Sequence, residues 1–293
     1  MSLEMSMEMN VETSMETSIE VRRARPDDWP AIEALNQRAC RTLPQLWWWD
    51  EHLTDNLFII IEREGVIMGA LYAWPDESPV AWARLAALDD TLDVGEWLNL
   101  VLPPVLDGLR WHGVHKLAWM DHEGWAGPYL KARGFKRLTE VMGLAKLDRD
   151  LPDTSAVDTH LRVASDADIP AMAAVDRAAL IPHWWRSEAT MRRRAAKSSY
   201  SAVAEVAGVV VGYTEGELRP PAAHLNRIAV HPAHQGHGIG ASLLRNALRV
   251  FWRRGAERVT LNTQADNRYS QRLYRRFGFE PTGEHVTAWE LQL

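Results

Sequence analysis

The sequence states much of itself twice. The run "VRRARPDDWPAIEALNQRA", from Val21, returns as "LRVASDADIPAMAAVDRAA", from Leu161, and sets Pro30 opposite Pro170, 140 residues on. Each copy then carries a proline closely followed by tryptophans: Pro44 with Trp47, Trp48 and Trp49, and Pro182 with Trp184 and Trp185. Each reaches an apolar, strand-like run, "LFIIIEREGVIMGALYAW" and "SAVAEVAGVVVGYTEGEL", and each ends in a helical segment running into Gly134–Phe135 or Gly278–Phe279. A period of about 140 residues is too long for a solenoid unit and right for a domain. The expectation is two tandem copies of one domain, residues 19–150 and 158–293, joined by the polar stretch "DRDLPDTSAVDTH". The first 18 residues are a biased mix rich in Met, Glu and Ser. They lack the apolar core of a signal peptide and are expected to be a disordered leader.

The chain has 293 residues, 46% hydrophobic and 25% charged, enough to bury an ordinary globular core in each copy. The net charge is −6 with no long basic block, so no nucleic-acid partner is expected. A lone cysteine, Cys40, excludes an internal disulfide and a cysteine-based metal site. No run reaches the roughly 18 apolar residues of a membrane span. A cytoplasmic protein with no membrane partner is the corresponding expectation; the oligomeric state is not legible.

In the second copy, Asp166 reads as a helix N-cap with Pro170 in the first turn. A further helical segment crosses the tryptophan pair and "MRRRAAK". Strands follow at 201–206 and 209–215 around an Ala207–Gly208 turn, then from His224 to Val230. Next comes "VHPAHQGHGIGASLL", with Gly236, Gly238 and Gly240 at alternate positions. A helix leaves it with Leu243, Leu244, Ala247, Leu248 and Phe251 on one stripe. "RVTLNT" is a strand, "SQRLYRRF" a helix ended by Gly278, and "HVTAWELQL" a closing strand.

A strand that feeds glycines and a helix that leaves them form an anion site from successive backbone N–H groups. Glycine lets a phosphate approach the backbone without a Cβ in the way. A phosphorylated ligand follows. No Lys-Ser/Thr pair follows the glycines, which excludes the P-loop. Gly236, Gly238 and Ala241 satisfy the dinucleotide pattern G-x-G-x-x-A, but the acid expected about 20 residues on is missing; that strand ends in Asn262. His231, His234 and His237 recur every third residue, yet Pro232 and the glycines break any helix that would align them, so no metal is expected.

A third class fits better. "VHPAHQGHGIG" resembles the acyl-CoA loop of the GNAT superfamily of N-acyltransferases, V-x-P-x-x-[Q/R]-G-x-G-x-[G/A], and "NRYSQRLYRRFGF" resembles that superfamily's N-x-x-[A/S]-x-x-L-Y-x-x-x-G-F segment. The resemblance covers residues 160–293 well and the first copy only in outline. It implies an α/β (α+β) fold: two tandem copies, each a twisted, mixed, mainly antiparallel sheet flanked by helices. It implies acetyl-CoA as co-substrate. The strand carrying Ile228, Ala229 and Val230 would splay from its neighbour and hydrogen-bond the pantetheine arm. Gln235, Gly236, His237, Gly238, Ile239, Gly240 and Ala241 would hold the pyrophosphate, and Asn267 would lie beside the CoA arm.

Tyr274 matches the superfamily tyrosine that stands near the thioester sulfur and protonates the leaving thiolate. The general base is less legible. The positions where relatives carry glutamates read Asn226 and Asn262, neither of which is a base. The nearest substitutes are His224, Glu217 and Glu215, directly or through water. Trp184 and Trp185 fall where the superfamily shapes its acceptor pocket, with the triplet at 47–49 as their counterpart.

In the first copy, "RLAALDDTLDVGEWL" set on "RIAVHPAHQGHGIGA" at an offset of 143 keeps one glycine of three, Gly95. Asp93 and Glu96 would repel a pyrophosphate, Trp97 would block its approach, and Leu130 replaces the tyrosine. The expectation is a copy that retains the fold without the cofactor site, packs on the active copy and helps shape the acceptor cleft. The two-copy plan is similar to that of mycothiol synthases, although the motifs in common are the superfamily's and carry no substrate. The expected function is transfer of an acetyl group from acetyl-CoA to the amine of a small molecule by direct attack in a ternary complex. A non-catalytic acyl-CoA sensor and a protein N-terminal acetyltransferase are the alternatives.

Overall fold

The computed structural model describes residues 19–43, 57–152, 159–196 and 198–293. The leader, Pro44, the 47–49 triplet and residues 153–158 of the joint lie outside the described residues. The first copy runs β1 (Ile19–Arg23), α1 (Trp29–Arg38), β2 (Arg41–Thr42), β3 (Phe58–Arg63), β4 (Val66–Trp74), β5 (Val80–Leu88), α2 (Val94–Trp111), β6 (Lys116–Asp121), α3 (Gly127–Ala132) and β7 (Lys136–Lys146). The second runs β8 (His160–Val163), α4 (Ile169–Ala179), α5 (Glu188–Ala195), β9 (Tyr200–Val206), β10 (Val209–Arg219), β11 (Ala222–Val230), α6 (Ile239–Arg253), β12 (Arg258–Gln264), α7 (Arg268–Arg276) and β13 (Glu280–Gln292).

The repeat is visible in its charges. In β1, Arg22 pairs with Asp28 at 2.7 Å and Glu62 at 2.6 Å; in β8, Arg162 pairs with Asp168 and Glu205, each at 2.6 Å. Each arginine ties the entry strand to the strand beside it and to the turn before the first helix. The hydrogen bonds from Arg162 hold the Asp168 carboxyl well below its ordinary value. Asp168, not the expected Asp166, is the cap residue of α4, because residues 166–168 form a 3-10 turn of their own.

The two halves form one sheet, in the order β1-β3-β4-β5-β6-β13-β7-β12-β11-β10-β9-β8. Among the described strands only β5–β6 and β11–β12 pair in parallel. The last strands are exchanged. β13, from the end of the chain, pairs with β6 of the first copy, Trp289 opposite Trp119. β7, from the end of the first copy, pairs with β12 of the second, Leu144 opposite Leu261. They pair with each other in the middle, Val286 opposite Val141. Packing follows the exchange: Leu144 belongs to the core of the second copy, and Trp289 and Leu291 pack on the core of the first.

Candidate active site

Two strands part at the site. β11 pairs with β12 only from Ala222↔Arg258 to Leu225↔Leu261, although both strands continue. The other edge of β11 stays on β10 as far as Val230↔Gly212, with Asn226 bulged out of the register. His231 donates its N–H to the Val211 carbonyl at 2.8 Å, so by alternation Ala229 bonds toward β10. The backbones of Ile228 and Val230 face the gap instead. An extended ligand can add to that edge as a strand adds to a sheet.

At the end of β11 the chain makes a 3-10 turn over Pro232–His234 and reaches the glycines. Gly236 (φ +81°) and Gly238 (φ +80°) are left-handed, which explains glycine at both. Gly238 caps α6, and the first bond of the helix runs from the Ser242 N–H to the Gly238 carbonyl at 3.0 Å. The N–H groups of Ile239, Gly240 and Ala241 therefore have no acceptor within the helix. The Ile239 and Ala241 side chains are buried, so backbone is what they offer a ligand. Gln235 turns its amide back to the Val230 carbonyl at 2.9 Å, a bond that holds the loop on the strand. His237 is exposed. Among the described residues no group of three or more His, Cys, Asp or Glu converges as a metal site.

The gap opens into a cavity of about 600 Å³ that Ile228, Tyr274, Asn267, His224, Glu217, Trp184 and Trp185 all line. Asn267 caps α7 through its side-chain oxygen, which accepts from the Ser270 N–H at 3.1 Å. One turn on, Tyr274 is buried, edge-on to Phe279 at 5.8 Å. Burial pushes its phenol up to about 12, against a smaller opposing effect of its bond with Ser270. It is therefore protonated at neutral pH, the state of a proton donor.

The base positions differ sharply. Glu215 is buried between Arg186 and Arg194, which hold its carboxyl low despite desolvation. This corrects its place among the bases: a carboxylate gripped by two guanidiniums is a poor proton acceptor. Glu217 accepts from the Asn226 amide at 3.3 Å. His224 has Nδ1 2.8 Å from the Thr260 hydroxyl, and that hydroxyl donates onward to the Ala223 carbonyl. Nδ1 must then carry the hydrogen, which leaves the lone pair on Nε2. Burial lowers the pKa of His224, the nearby Glu217 notwithstanding, so the ring is neutral at pH 7.

The first copy supplies the opposite wall. Strand register relates the copies by 143 in β4 and 142 in β5, because Arg84 bulges from β5 as Asn226 does from β11. Glu215, Glu217, His224 and Asn226 thus correspond to Tyr72, Trp74, Trp82 and Arg84. All eight line the same cavity. Sequence reading missed the first-copy set, although the repeat offset applied to the second-copy candidates leads straight to it. The walls are fastened by Trp82, whose indole N–H donates to the His183 carbonyl at 2.6 Å and whose ring lies 5.0 Å from that of Trp184.

In the first copy the equivalent of the cofactor gap is filled. β5 leaves β6 after Trp82↔Ala118, and β2 then takes the vacated edge, with Arg41↔Leu88 and Thr42↔Ala87. Five residues, not eight, separate strand from helix, and Asp93 caps α2 by accepting from the Glu96 N–H at 2.9 Å. The offset of 143 does not hold across this shorter loop. Trp97 does not stand in a ligand's path as expected; it is buried in the core beneath Gly69, where a Cβ would come 2.6 Å from its indole nitrogen.

Residues 170–279 match the acetyltransferase (GNAT) family. The N-alpha-acetyltransferase RimI of Mycobacterium tuberculosis is 36% identical over 103 residues, 34% of this chain and 63% of that protein. The mycothiol acetyltransferase of Beutenbergia cavernae is 38% identical over 59 residues, 20% of each chain. The chain thus spans less than two thirds of either relative's length. A solved structure described as a tandem GNAT protein from the clavulanic acid biosynthesis pathway, without AcCoA, superposes with a TM-score of 0.63 at 16% identity, over 94% of this chain and 98% of that one. The second copy thus matches the acetyltransferase (GNAT) family over residues 170–279, and the whole chain shares the fold of the tandem protein.

Proposed function

We propose, from the GNAT domain in residues 170–279, that this chain moves an acetyl group from acetyl-CoA to the amine of a small molecule, with one active site in the second copy. One observation carries the reading. The parted strands and Tyr274 adjoin a single cavity that also holds a neutral histidine and is walled by the other copy, and the glycine loop follows where β11 runs on from it. The pantetheine arm lies along Ile228 and Val230, and the pyrophosphate rests on the N–H groups from Gly236 to Ala241. The amine nitrogen attacks the thioester carbon and gives its proton to His224 Nε2, directly or through water. The carbon–sulfur bond then breaks, and the thiolate takes the Tyr274 proton. Glu217 lies beside His224 in the electrostatic field and favours the imidazolium formed in the step.

A small-molecule acceptor is favoured because Tyr72, Trp74, Trp82 and Arg84 of the first copy wall the cavity. The relative named as an N-alpha-acetyltransferase favours a protein N-terminus as the second reading. Release of CoA thiol from acetyl-CoA, followed with a panel of small amines and of short peptides, tests both. Turnover with small amines and none with peptides is the expected outcome. Acetyl-CoA binding without CoA release for any acceptor would leave a non-catalytic acyl-CoA sensor.

A further inference from the structure

We infer that the acceptor carries an anionic group, a carboxylate or a phosphate, held by Arg84 of the first copy. The inference rests on the acetyl-transfer reading for the amine end of the acceptor and on the cavity alone for the anionic end.

Four arginines line the cavity, and three are committed. Arg186 and Arg194 share Glu215. Arg227 binds Asp176 at 3.1 Å and the Trp184 carbonyl at 3.0 Å. Arg84 is the exception: half-buried, it has no hydrogen bond or ion pair among the described residues. Asp76 is the carboxylate that acts on it most, and Asp76 is already bound. Its Oδ1 accepts from the hydroxyls of Ser187 at 2.6 Å and Thr190 at 2.7 Å, and its Oδ2 from the Ser187 N–H at 3.3 Å. Arg186 and Arg194 add repulsion, and burial pushes the Arg84 pKa down. Among the described residues, a guanidinium so placed lacks the partner that a desolvated charge requires.

Position says what that partner is. Arg84 takes the bulge position that Asn226 takes in the second copy, so it faces the acetyl-transfer end from the opposite wall. An acceptor with its amine at His224 and Tyr274 turns its far end to Arg84. Trp82 and Trp184 line the same cavity, their rings 5.0 Å apart and tilted by 35°, and offer apolar contact to the rest of the acceptor. The fork of N–H donors on a guanidinium matches a carboxylate or a phosphate bidentately. The first copy then has a function its lost cofactor site does not supply: it selects the acceptor.

The test is calorimetric binding to the full chain saturated with CoA, using two matched pairs, phenylalanine with phenylalaninamide and phosphoethanolamine with ethanolamine. In at least one pair the anionic member should bind roughly 10- to 100-fold more tightly, the scale of hydrogen bonds to charged groups. The pair that discriminates identifies the anion. Arg84→Met should abolish the preference and leave the neutral member's affinity unchanged; Arg84→Lys should keep part of it. A melting temperature for each variant separates lost binding from lost folding. The proposal is overturned if neutral members bind as well in the wild type, if Arg84→Met keeps the preference, or if none of the four binds at millimolar concentration. Anion-dependent binding with no CoA thiol released once acetyl-CoA replaces CoA would uphold Arg84 and sink the acetyl-transfer reading instead.

Discussion

Tyr274 and His224 line one cavity, and burial acts on them in opposite senses. It raises the phenol to about 12 and lowers the imidazole, so each is neutral at pH 7, the one as proton donor and the other as acceptor. Tyr274→Phe should lower kcat by roughly 10- to 10⁴-fold with little change in acetyl-CoA affinity. The ring contact with Phe279 survives the change, so the melting temperature should hold within a few degrees. A large stability loss with kcat intact would make the tyrosine structural. On the proposed mechanism His224 acts as the free base, so kcat should fall as pH drops through a pKa below 6.5. In His224→Asn that acid limb should vanish along with about 10² of kcat. An unchanged limb in the variant would move the base to Glu217. Tyr274 was legible because its motif is local. Arg84 was not read, since nothing beside it in sequence says that its strand faces another copy's site.

The strand-to-helix loops of the two copies differ in length and in what occupies the helix start. In the second copy, Gly236 and Gly238 hold left-handed backbone at the start of α6. In the first, the loop is three residues shorter, and the Asp93 carboxylate occupies the helix start where an anion would otherwise bind. β2 fills the strand edge as well. Calorimetry should therefore find one acetyl-CoA per chain; two equivalent sites would sink the asymmetry. Gly238→Val forces a β-branched residue to positive φ and should abolish that binding, whereas Gly95→Ala should leave it intact. Equal losses from both would assign the cofactor to the wrong half. The first copy's difference was legible in the loss of two glycines, but its reason was not. An ungapped offset of 143 set Trp97 before the ligand, and only the register showed the shorter loop that turns it into the core.

At the scale of the molecule, the repeat does not divide where the chain does. The last strand of each copy completes the sheet of the other, so neither half is whole. Residues 158–293 expressed alone should fail to give a cooperative unfolding transition, because β12 loses β7 and the core loses Leu144. Burying a leucine of this kind is worth about 2–5 kcal/mol by truncation, a large share of a domain's stability. Co-expression with residues 19–150 should restore one soluble two-chain species, read by size-exclusion chromatography. An isolated half that melts cooperatively would show the exchange to be dispensable.

Local requirements were open to reading from the chain alone. Left-handed backbone demands glycine, a helix start demands a cap, and a buried face demands a period, so the repeat, the loop and most elements of the second copy could be placed, although the cap of α4 is Asp168 and the helix expected across the tryptophan pair begins only at Glu188. Pairing between distant segments leaves no such mark. β7 pairs with β12 and β13 with β6, across segments more than a hundred residues apart. The cavity is settled the same way: it exists because two walls meet, and its chemistry is divided between strands whose residues stand more than a hundred positions apart.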